Sequence, residues 1–377
     1  MQRLSSPLIL ILFAGFVASA PACSQNAGGL PTSAAPVGGD PGEFEQAVRA
    51  GPFDGAVLVA HGDSVLYAAG FGLADRERDV PNTPATRFRI ASETKQFTAA
   101  LVLQLVEEEL VRLDAPVSTY LPDYPAGVGD RVTVHHLLTH TSGLPEGRQF
   151  RSAPSLDEFL AELRTLPLEF APGSEHSYSN PNYQILGRIV EAVTDQPYGD
   201  ALRDRLLVPL GLDDTGVAPY GDDVPGLARG YARTPAGYEA EDPFEEDGRY
   251  PYAAGTMYST VGDLHRWKRA LHRGEPFQDP ATLGLMLRPH ADVGPHPSGG
   301  ALAYGYGLMV LTDEADGSRT YLHGGRFGPF VADLRYLADG GYTVVALGNA
   351  DGGETITTVE VVNRLIDALT DRDGQRQ

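Results

Sequence analysis

Short apolar runs rich in β-branched and aromatic residues lie toward both ends of the chain and predict β-strands. The first two, residues 55–60 and 65–71, are separated by His61-Gly62-Asp63-Ser64, whose Gly-Asp pair is typical of a hairpin turn. Four more runs follow near the other end of the chain: residues 307–311, 319–323, 330–337 and 342–347. The simplest arrangement of these strands is one antiparallel sheet.

Between and after these strands the apolar pattern takes on a helical period. Residues 97–110 are apolar on nearly all sides, which predicts a buried helix, whereas residues 354–369 carry a single apolar stripe. Further helical stretches are residues 156–166, 183–193 and 261–271. The predicted fold class is α/β (α+β), an antiparallel β-sheet flanked by N- and C-terminal helices with a large inserted all-helical domain. We assign residues 43–97 plus 300–377 to the sheet domain and residues 98–299 to the mainly helical insert.

The composition of the chain excludes several kinds of binding partner and site. The chain has 377 residues, of which 42% are hydrophobic, so it is large enough to form a sizeable core without metal or disulfide support. Its formal charge of −21 opposes binding to nucleic acid or to an anionic membrane surface. A single cysteine excludes an internal disulfide and a zinc-thiolate site. We expect no cofactor, no metal and no nucleic-acid partner.

The first residues are typical of an export signal. Arg3 precedes an apolar run, residues 8–18, whose helical length of about 17 Å is too short to cross a bilayer. Residues 1–22 therefore predict a signal peptide. Small residues come directly before Cys23, which predicts lipidation of that cysteine, with ordinary cleavage at the same place as the alternative.

The next segment, residues 23–42, is rich in Gly, Pro, Ala and Ser and predicts a flexible tether. We expect an exported protein of the periplasm or cell envelope, tethered to a membrane through lipidated Cys23, and a monomer.

A serine and a lysine lie three positions apart at the start of the predicted buried helix. In the first turn of a helix, Ser92 and Lys95 would share one face, which places an amine beside an alcohol and can activate the serine as a nucleophile. The chain has only two lysines, Lys95 and Lys268, and lysine can lose its proton where arginine cannot. A purely structural alternative is that Ser92 caps the helix.

Two further stretches carry candidate chemistry. Tyr178 and Asn180 lie one residue apart in a polar loop, which offers a phenol for proton transfer and an amide for holding a carbonyl. The alternative is a hydrogen-bonded corner without function. Later in the chain, His323-Gly324-Gly325-Arg326 places two glycines in a predicted strand, which indicates close approach by another backbone or a ligand. A simple bulge or turn is the alternative there.

Taken together and in this order, the three stretches resemble the serine β-lactamase and penicillin-binding protein-like family, whose signature begins with Ser-x-x-Lys. The Tyr-x-Asn pair resembles the branch of that family which contains class C β-lactamases, DD-peptidases and esterases. Four other stretches look like the same branch: residues 136–145, 209–212, 254–260 and 304–308. The resemblance runs from about residue 55 to residue 369.

The resemblance implies a serine hydrolase with an acyl-enzyme mechanism. Ser92 would attack a carbonyl, and Lys95 and Tyr178 would share the proton transfer, with the identity of the general base left open. Asn180 would hold the substrate amide. The backbone N–H groups of Ser92 and Arg326 would form the oxyanion hole.

One departure from the family pattern affects the expected substrate. The chain has His323-Gly324-Gly325 where lactamases have Lys-Thr-Gly, so it lacks a cation and a hydroxyl that would bind a carboxylate. We therefore expect these residues and Arg326 to contact a small-molecule or peptide substrate of an esterase or D-amino-acid peptidase. The alternatives are a β-lactamase or DD-carboxypeptidase proper, and a slowly deacylating penicillin-binding sensor. His136 and His140 have a zinc-like spacing, but no glutamate follows His136 as a metalloprotease helix requires.

Overall fold

The computed structural model describes residues 42–147, 155–218, 223–246, 251–297, 299–351 and 357–375. The predicted signal peptide, the lipidation of Cys23 and almost all of the predicted tether lie outside the described residues. Gly42, the last residue of the predicted tether, begins the first described helix. Within the described residues, no helix is both long and apolar enough to cross a membrane.

Strands and helices come in runs along the chain, and short strands are more numerous than the apolar pattern predicts. The strands are β1 (Gly55–His61), β2 (Ser64–Phe71), β3 (Leu73–Asp75), β4 (Val80–Pro81), β5 (Phe88–Arg89), β6 (Gly216–Val217), β7 (Tyr231–Thr234), β8 (Gly237–Ala240), β9 (Met257–Ser259), β10 (Ala291–Pro295), β11 (Ala301–Tyr304), β12 (Met309–Thr312), β13 (Arg319–Phe327), β14 (Phe330–Leu337), β15 (Tyr342–Gly348) and β16 (Ala350–Asp351). The helices are α1 (Gly42–Arg49), α2 (Thr94–Glu107), α3 (Ala126–Gly129), α4 (Val134–Leu138), α5 (Leu156–Leu163), α6 (Asn180–Thr194), α7 (Tyr198–Leu202), α8 (Pro243–Glu246), α9 (Val261–His272), α10 (Pro280–Leu287) and α11 (Thr357–Gln375).

An eight-stranded antiparallel sheet forms the centre of the fold, with the strand order β10-β11-β12-β13-β14-β15-β1-β2. The first strands of the chain therefore join its last strands, since β1 pairs with both β2 and β15. This arrangement confirms the predicted antiparallel sheet built from both ends of the chain. The predicted hairpin is also present, with Gly62 at a positive φ of 54° in its turn.

The sheet has an apolar layer on each face because side chains alternate along a strand. On one face, Val57 and Val59 of β1 pack in a cluster with residues of α1 and α11, including Phe44 and Leu365. Leu58, with its neighbours on the other face, belongs to the large cluster that includes helix α2. Removal of this apolar surface from water on both faces stabilises the sheet.

Helix α2 is buried along nearly its whole length, as its apolar sequence predicts. It begins at Thr94, earlier than the predicted residue 97, because a 3₁₀ turn (Ala91–Glu93) leads directly into it. It ends before Glu109, whose φ is +59°. Phe97 of this helix stacks on Trp267 of α9, with the ring centroids 4.2 Å apart. The first turn of α2 is thereby fixed within the core.

The segment predicted as all helical also contains strands. Strand β9 pairs with β5 and β6, while β7 pairs with β8 and β16. These strands have two to four residues, and apart from the local hairpin of β7 and β8 they pair with distant parts of the chain, as Phe88 does with Ser259. A run that short shows no period, so the sequence pattern could not reveal it. The division between sheet domain and insert remains a prediction.

Candidate active site

Ser92 lies in the 3₁₀ turn Ala91–Glu93, which we call the serine turn. The turn enters α2 through an unusual backbone, because Ala91 has a φ of +47°. A left-handed conformation is rare for a residue with a Cβ and is found at sites where the surrounding structure imposes it. Ala91 and Glu93 are buried, whereas Ser92 between them is partly exposed. The turn therefore presents the serine hydroxyl outward from a buried backbone.

Strand β13 fits closely against the serine turn through a glycine. A methyl group on Gly325 would lie 2.3 Å from the carbonyl oxygen of Ile90 and 3.0 Å from the amide nitrogen of Ser92. Neither distance leaves room for a side chain, so glycine is required at this position. This is the close backbone approach that the paired glycines predict. Arg326, the next residue of β13, is exposed and pairs with Val331 of β14.

The amine of Lys95 makes three short contacts. Its Nζ atom is 3.0 Å from Ser92 Oγ, 2.8 Å from Asn180 Oδ1 and 2.8 Å from the carbonyl oxygen of Ala254. The lysine is 0% exposed although it is one turn from a partly exposed serine. The structure thus brings together the two residues that the sequence places at positions i and i+3.

Burial also changes the proton affinity of Lys95. Desolvation disfavours the charged ammonium and lowers the pKa of Lys95 to about 7, while the nearby carboxylate of Glu146 acts in the opposite direction. Near neutral pH, a substantial fraction of the amine is therefore unprotonated. An ordinary exposed lysine is almost fully charged at that pH.

Tyr178 reaches the same serine from the polar loop before α6. Its side chain is hydrogen-bonded to Ser92, and its ring lies 4.9 Å from Lys95 Nζ. Burial raises the pKa of the phenol well above its ordinary value, so Tyr178 keeps its proton near neutral pH. The ring stacks on the imidazole of His140, with the centroids 4.2 Å apart. Its phenol is thereby held over the serine and the lysine.

A chain of hydrogen bonds runs behind Tyr178. His140 Nδ1 accepts from the backbone N–H of Ser179, and its Nε2 lies 3.3 Å from the Tyr304 hydroxyl. That hydroxyl is 3.1 Å from His323 Nε2, and His323 Nδ1 is 2.6 Å from the carbonyl oxygen of Gly324. A carbonyl can only accept, so His323 Nδ1 donates, and in the neutral ring that burial favours, Nε2 is the acceptor. The loop of Tyr178 and strand β13 are thus joined through two neutral histidines.

The ring of His323, a predicted substrate contact, is buried in the structure. Its ring is 2% exposed and both ring nitrogens already have partners. Burial lowers the pKa of His323 to about 3, so the ring supplies no positive charge in place of the missing lysine. Gly324, next in the strand, is only partly buried. Of the predicted contact residues on β13, Gly325 lies against the serine turn and Arg326 is exposed.

Asn180 stands at the start of α6, and its amide has two charged or ionisable neighbours. The Oδ1 atom contacts Lys95 Nζ, while Nδ2 donates to Glu146 Oε1 at 2.8 Å. The second oxygen of Glu146 accepts from the backbone N–H of Asn180, also at 2.8 Å. These contacts fix the orientation of the amide, with its oxygen toward the lysine.

Glu146 belongs to none of the motifs in the sequence. It follows directly after the stretch of residues 136–145, and a single glutamate in a loop carries no pattern of its own. Only the fold brings it to Asn180, which is 34 positions away in the chain. Tyr304 lies in one of the family-like stretches, residues 304–308, but no sequence pattern predicts its contacts with His140 and His323.

A second buried cluster lies beneath the serine turn. Glu93 and Lys268 are both 0% exposed and are bridged by Gln96, which donates to the Glu93 carboxylate and accepts from Lys268 Nζ at 2.8 Å. Burial lowers the pKa of Lys268 to about 8 and raises that of Glu93 well above its ordinary value. Lys268 reaches Gln96 of α2 from α9, so this cluster adjoins the same helix start as Lys95 but has separate partners.

The histidines with zinc-like spacing have other partners. His136 Nδ1 accepts from the backbone N–H of Thr133 at the start of α4, and His140 belongs to the chain behind Tyr178. In the part of the chain that the structure describes, no group of three or more His, Cys, Asp or Glu residues could hold a metal ion.

Comparison with known proteins places this geometry in a family. The profile of the β-lactamase family matches residues 44–366. The chain is 35% identical over 312 residues to esterase EstB from Burkholderia gladioli, an alignment that covers 72% of this chain and 79% of the esterase.

Solved structures give the same result. A penicillin-binding protein from Bacillus halodurans is 25% identical with a TM-score of 0.73, over 86% of this chain and 98% of that protein. The D-amino acid amidase from Ochrobactrum anthropi SV3 is 26% identical with a TM-score of 0.73, over 88% of this chain and 97% of the amidase. These folds confirm the predicted fold class. From its motifs, its fold and these similarities, the chain belongs to the β-lactamase family of serine hydrolases.

Proposed function

We propose that this protein hydrolyses an ester or amide through an acyl-enzyme formed on Ser92, with unprotonated Lys95 as the general base. The catalytic assignments go beyond family membership and rest on the arrangement of the site. The esterase and the D-amino acid amidase among its relatives support this choice of substrate bond.

The observation that carries the proposal is the set of contacts made by the Lys95 amine. Asn180 Oδ1 and the Ala254 carbonyl can only accept hydrogen bonds, so they take the two hydrogens of a neutral amine. The lone pair of the neutral nitrogen then points toward Ser92 Oγ, 3.0 Å away, and can accept the hydroxyl proton. A lone pair directed at a serine hydroxyl is what a general base requires. The pKa of Lys95, lowered to about 7, makes this neutral form available.

The reaction can be followed by its bonds and protons. Ser92 Oγ attacks the substrate carbonyl as its proton passes to Lys95, and the oxyanion is stabilised by the N–H groups of Ser92 and Arg326. The bond to the leaving group breaks as the carbonyl re-forms, and Tyr178 protonates the leaving group. The Lys95 ammonium then restores the phenol proton. Water repeats the sequence on the acyl-enzyme and releases the acid with free Ser92.

The site favours an esterase or D-amino-acid peptidase activity over efficient β-lactam hydrolysis. His323, which replaces the lysine of Lys-Thr-Gly, is neutral and buried, so it does not attract the carboxylate of a β-lactam. Gly324 adds no hydroxyl in its place. A β-lactamase or DD-carboxypeptidase activity is the second candidate and depends on Arg326 as a substitute cation.

A substrate screen tests the proposal directly. The purified protein is assayed with p-nitrophenyl esters, D-alanyl peptides and a chromogenic cephalosporin, with Ser92→Ala as the control. We expect steady turnover of an ester or D-peptide that Ser92→Ala abolishes. Turnover that survives in Ser92→Ala would overturn the mechanism, and stoichiometric labelling of Ser92 without turnover would identify a slowly deacylating sensor instead.

The role of Arg326 needs a matched pair of substrates. A substrate with a free carboxylate and its neutral methyl ester are compared in the wild type and in Arg326→Ala. A selective loss on the carboxylate substrate would support Arg326 as the substitute cation. An equal effect on both substrates would exclude that role.

We also propose that the protein is exported to the cell envelope and tethered through lipidated Cys23. The support is the sequence of residues 1–42 alone. Fractionation of cells that express the wild type and Cys23→Ala gives the test. The lipoprotein hypothesis fails if both proteins partition equally into the soluble fraction.

A further inference from the structure

We propose that Tyr304 is a positioning residue that holds Tyr178, the proposed proton donor, through the imidazole of His140. The inference rests on the proposed function and adds a residue to the same site. It is carried by one buried hydroxyl, which lies between two histidines and joins the loop of Tyr178 to strand β13. Tyr304 is 1% exposed, so its hydroxyl acts through these neighbours and not on the substrate.

His140 holds the segment around Tyr178 from both sides. Its carbonyl oxygen accepts from the backbone N–H of Ser177 at 2.9 Å, and its Nδ1 atom accepts from that of Ser179 at 3.1 Å. The Tyr178 ring, between these two residues, stacks on the imidazole with the centroids 4.2 Å apart. His140 is buried and has a left-handed φ of +57°, which the surrounding structure must impose. The direction of the phenol therefore depends on the orientation of the His140 ring.

The hydrogen bonds define which ring nitrogen of each histidine carries the hydrogen. A backbone N–H can only donate, so His140 Nδ1 is an acceptor, and the hydrogen of the neutral ring is on Nε2, 3.3 Å from Tyr304 Oη. His323 has the opposite arrangement, with its hydrogen on Nδ1 and a lone pair on Nε2, 3.1 Å from the same hydroxyl. Burial lowers the pKa of both imidazoles, which keeps them uncharged near neutral pH.

Tyr304 completes this chain because a hydroxyl can accept and donate at once. It accepts from His140 Nε2 and donates its only hydrogen to His323 Nε2, which has no other donor among the described residues. Tyr183 also lies close to Tyr304, but its hydroxyl donates to a backbone carbonyl at 2.8 Å. His323 in turn donates to a carbonyl oxygen of β13. The Tyr304 hydroxyl therefore fixes the position of the His140 ring relative to strand β13.

Loss of the hydroxyl would interrupt this connection. His140 Nε2–H would be left without its acceptor, and a buried donor without an acceptor is unfavourable. The imidazole would turn or shift toward another partner, and the stacked Tyr178 ring would move with it. General-acid catalysis requires a donor within hydrogen-bond reach of the leaving group, so proton delivery by Tyr178 would be impaired.

The test compares two esters that differ only in the leaving group, the ethyl and p-nitrophenyl esters of the acyl group that the substrate screen selects. Ethanol must receive a proton as the bond breaks, whereas p-nitrophenolate is stable as an anion and leaves without one. Tyr304→Phe should lower kcat/KM on the ethyl ester by about 10- to 100-fold, the effect of a small misplacement, and much less on the p-nitrophenyl ester. Tyr178→Phe should show the same pattern with a larger loss on the ethyl ester.

Tyr306→Phe is the matched control. This tyrosine lies two residues further along, is also buried, and places its hydroxyl 2.8 Å from His135 Nδ1, outside the chain that supports Tyr178. Its replacement should leave both kcat/KM values unchanged. Urea unfolding of each variant checks its stability, because a fraction of unfolded protein would lower the rates on both esters equally.

A second measurement uses the wild type alone. Nitrogen-15 NMR of the histidine side chains shows which ring nitrogen carries the hydrogen. At neutral pH, His140 should have its hydrogen on Nε2 and His323 on Nδ1. The same form at both histidines, or a positive charge on either, would overturn the proposal, because the Tyr304 hydroxyl could not then accept from one ring and donate to the other.

The outcomes separate the inference from the proposed function. An equal loss on the two esters in Tyr304→Phe, or no loss, together with a selective loss in Tyr178→Phe, would exclude the positioning role of Tyr304 and leave the hydrolase mechanism intact. Absence of the selective loss in Tyr178→Phe would remove Tyr178 as the proton donor, and the inference with it.

Discussion

The two lysines of this chain occupy neighbouring buried sites at the start of α2 and have different partners. Lys95 is 0% exposed and contacts Ser92, Asn180 and the Ala254 carbonyl. Lys268 is equally buried, but its amine contacts Gln96, which joins it to the Glu93 carboxylate. In both cases burial lowers the lysine pKa, to about 7 and about 8 respectively.

A lowered pKa alone does not distinguish Lys95, the proposed general base, from Lys268. What differs is the side chains around each amine. Lys95 has a partly exposed serine hydroxyl, from which it can take a proton, whereas Lys268 faces a fully buried acid and amide. We therefore propose that Lys95 acts in catalysis and that Lys268 stabilises the start of α2. Mutation of each lysine tests this distinction.

The largest expected effect is on catalysis. Replacement of Lys95 by methionine should lower kcat/KM by about a thousandfold or more, because general-base catalysis contributes about 10²- to 10⁴-fold. Lys268→Met should retain activity within about tenfold. Both values come from steady-state assays on the ester identified by the screen, with circular dichroism as the check on folding. Equal losses in the two variants would remove the distinction between the lysines.

The next effect is on stability and should have the opposite ranking. Lys268→Met leaves Glu93 buried without its compensating charge, which should lower the free energy of unfolding by about 3 kcal/mol. The double variant Lys268→Met with Glu93→Gln should recover part of this loss, since no buried acid remains. Urea unfolding monitored by the fluorescence of Trp267 measures both. A double variant less stable than the single one would show that Lys268 does not act through Glu93.

A smaller effect concerns the serine turn between the two lysine sites. Gly325→Ala would place a methyl group 2.3 Å from the Ile90 carbonyl oxygen and displace Ser92, so kcat should fall by about a hundredfold. Gly284→Ala in α10 is the matched control, because a methyl group there meets no atom within 4 Å. Activity of Gly325→Ala equal to that of the control would contradict the close approach of β13.

The smallest effect is on the pH dependence of stability. A lysine with a folded pKa of about 7 and an unfolded value near 10.5 binds more protons when unfolded, so stability rises with pH between these values. Between about pH 7 and pH 8, Lys95→Met should reduce this rise by about 1 kcal/mol per pH unit. Lys268→Met should reduce it mainly above about pH 8. Unfolding midpoints in urea at several pH values provide the measurement, and identical pH slopes for both variants would contradict the two pKa values.

The long elements could be predicted from apolar periodicity because each has enough buried residues in succession to show a pattern. Strands β14 and β15 and the buried helix α2 were predictable, and the boundaries of α2 differ by three residues at each end because caps and turns decide them. The short strands β5 to β9 were not predictable. Each has too few residues to show a period, and all except β8 pair with a distant part of the chain.

In the candidate site, motif spacing was sufficient for Ser92 and Lys95, since one helical turn fixes their separation. The meeting of Tyr178 with Ser92 was expected only from the family resemblance, and the fold brings the two together. Glu146 could not be predicted, because its contact with Asn180 arises from loop packing. The inward orientation of His323 depends on Tyr304, which lies 19 positions earlier.

The burial of both lysines also determines how the protein will respond to amine-reactive reagents. The chain contains no lysine besides Lys95 and Lys268, and each is 0% exposed, so no lysine amine is accessible at the surface of the native fold. Acylating reagents and amine-based immobilisation should therefore not react with a lysine side chain until the core opens. Lysine modification followed by mass spectrometry can therefore report the opening of α2 at Lys95 and of α9 at Lys268 separately.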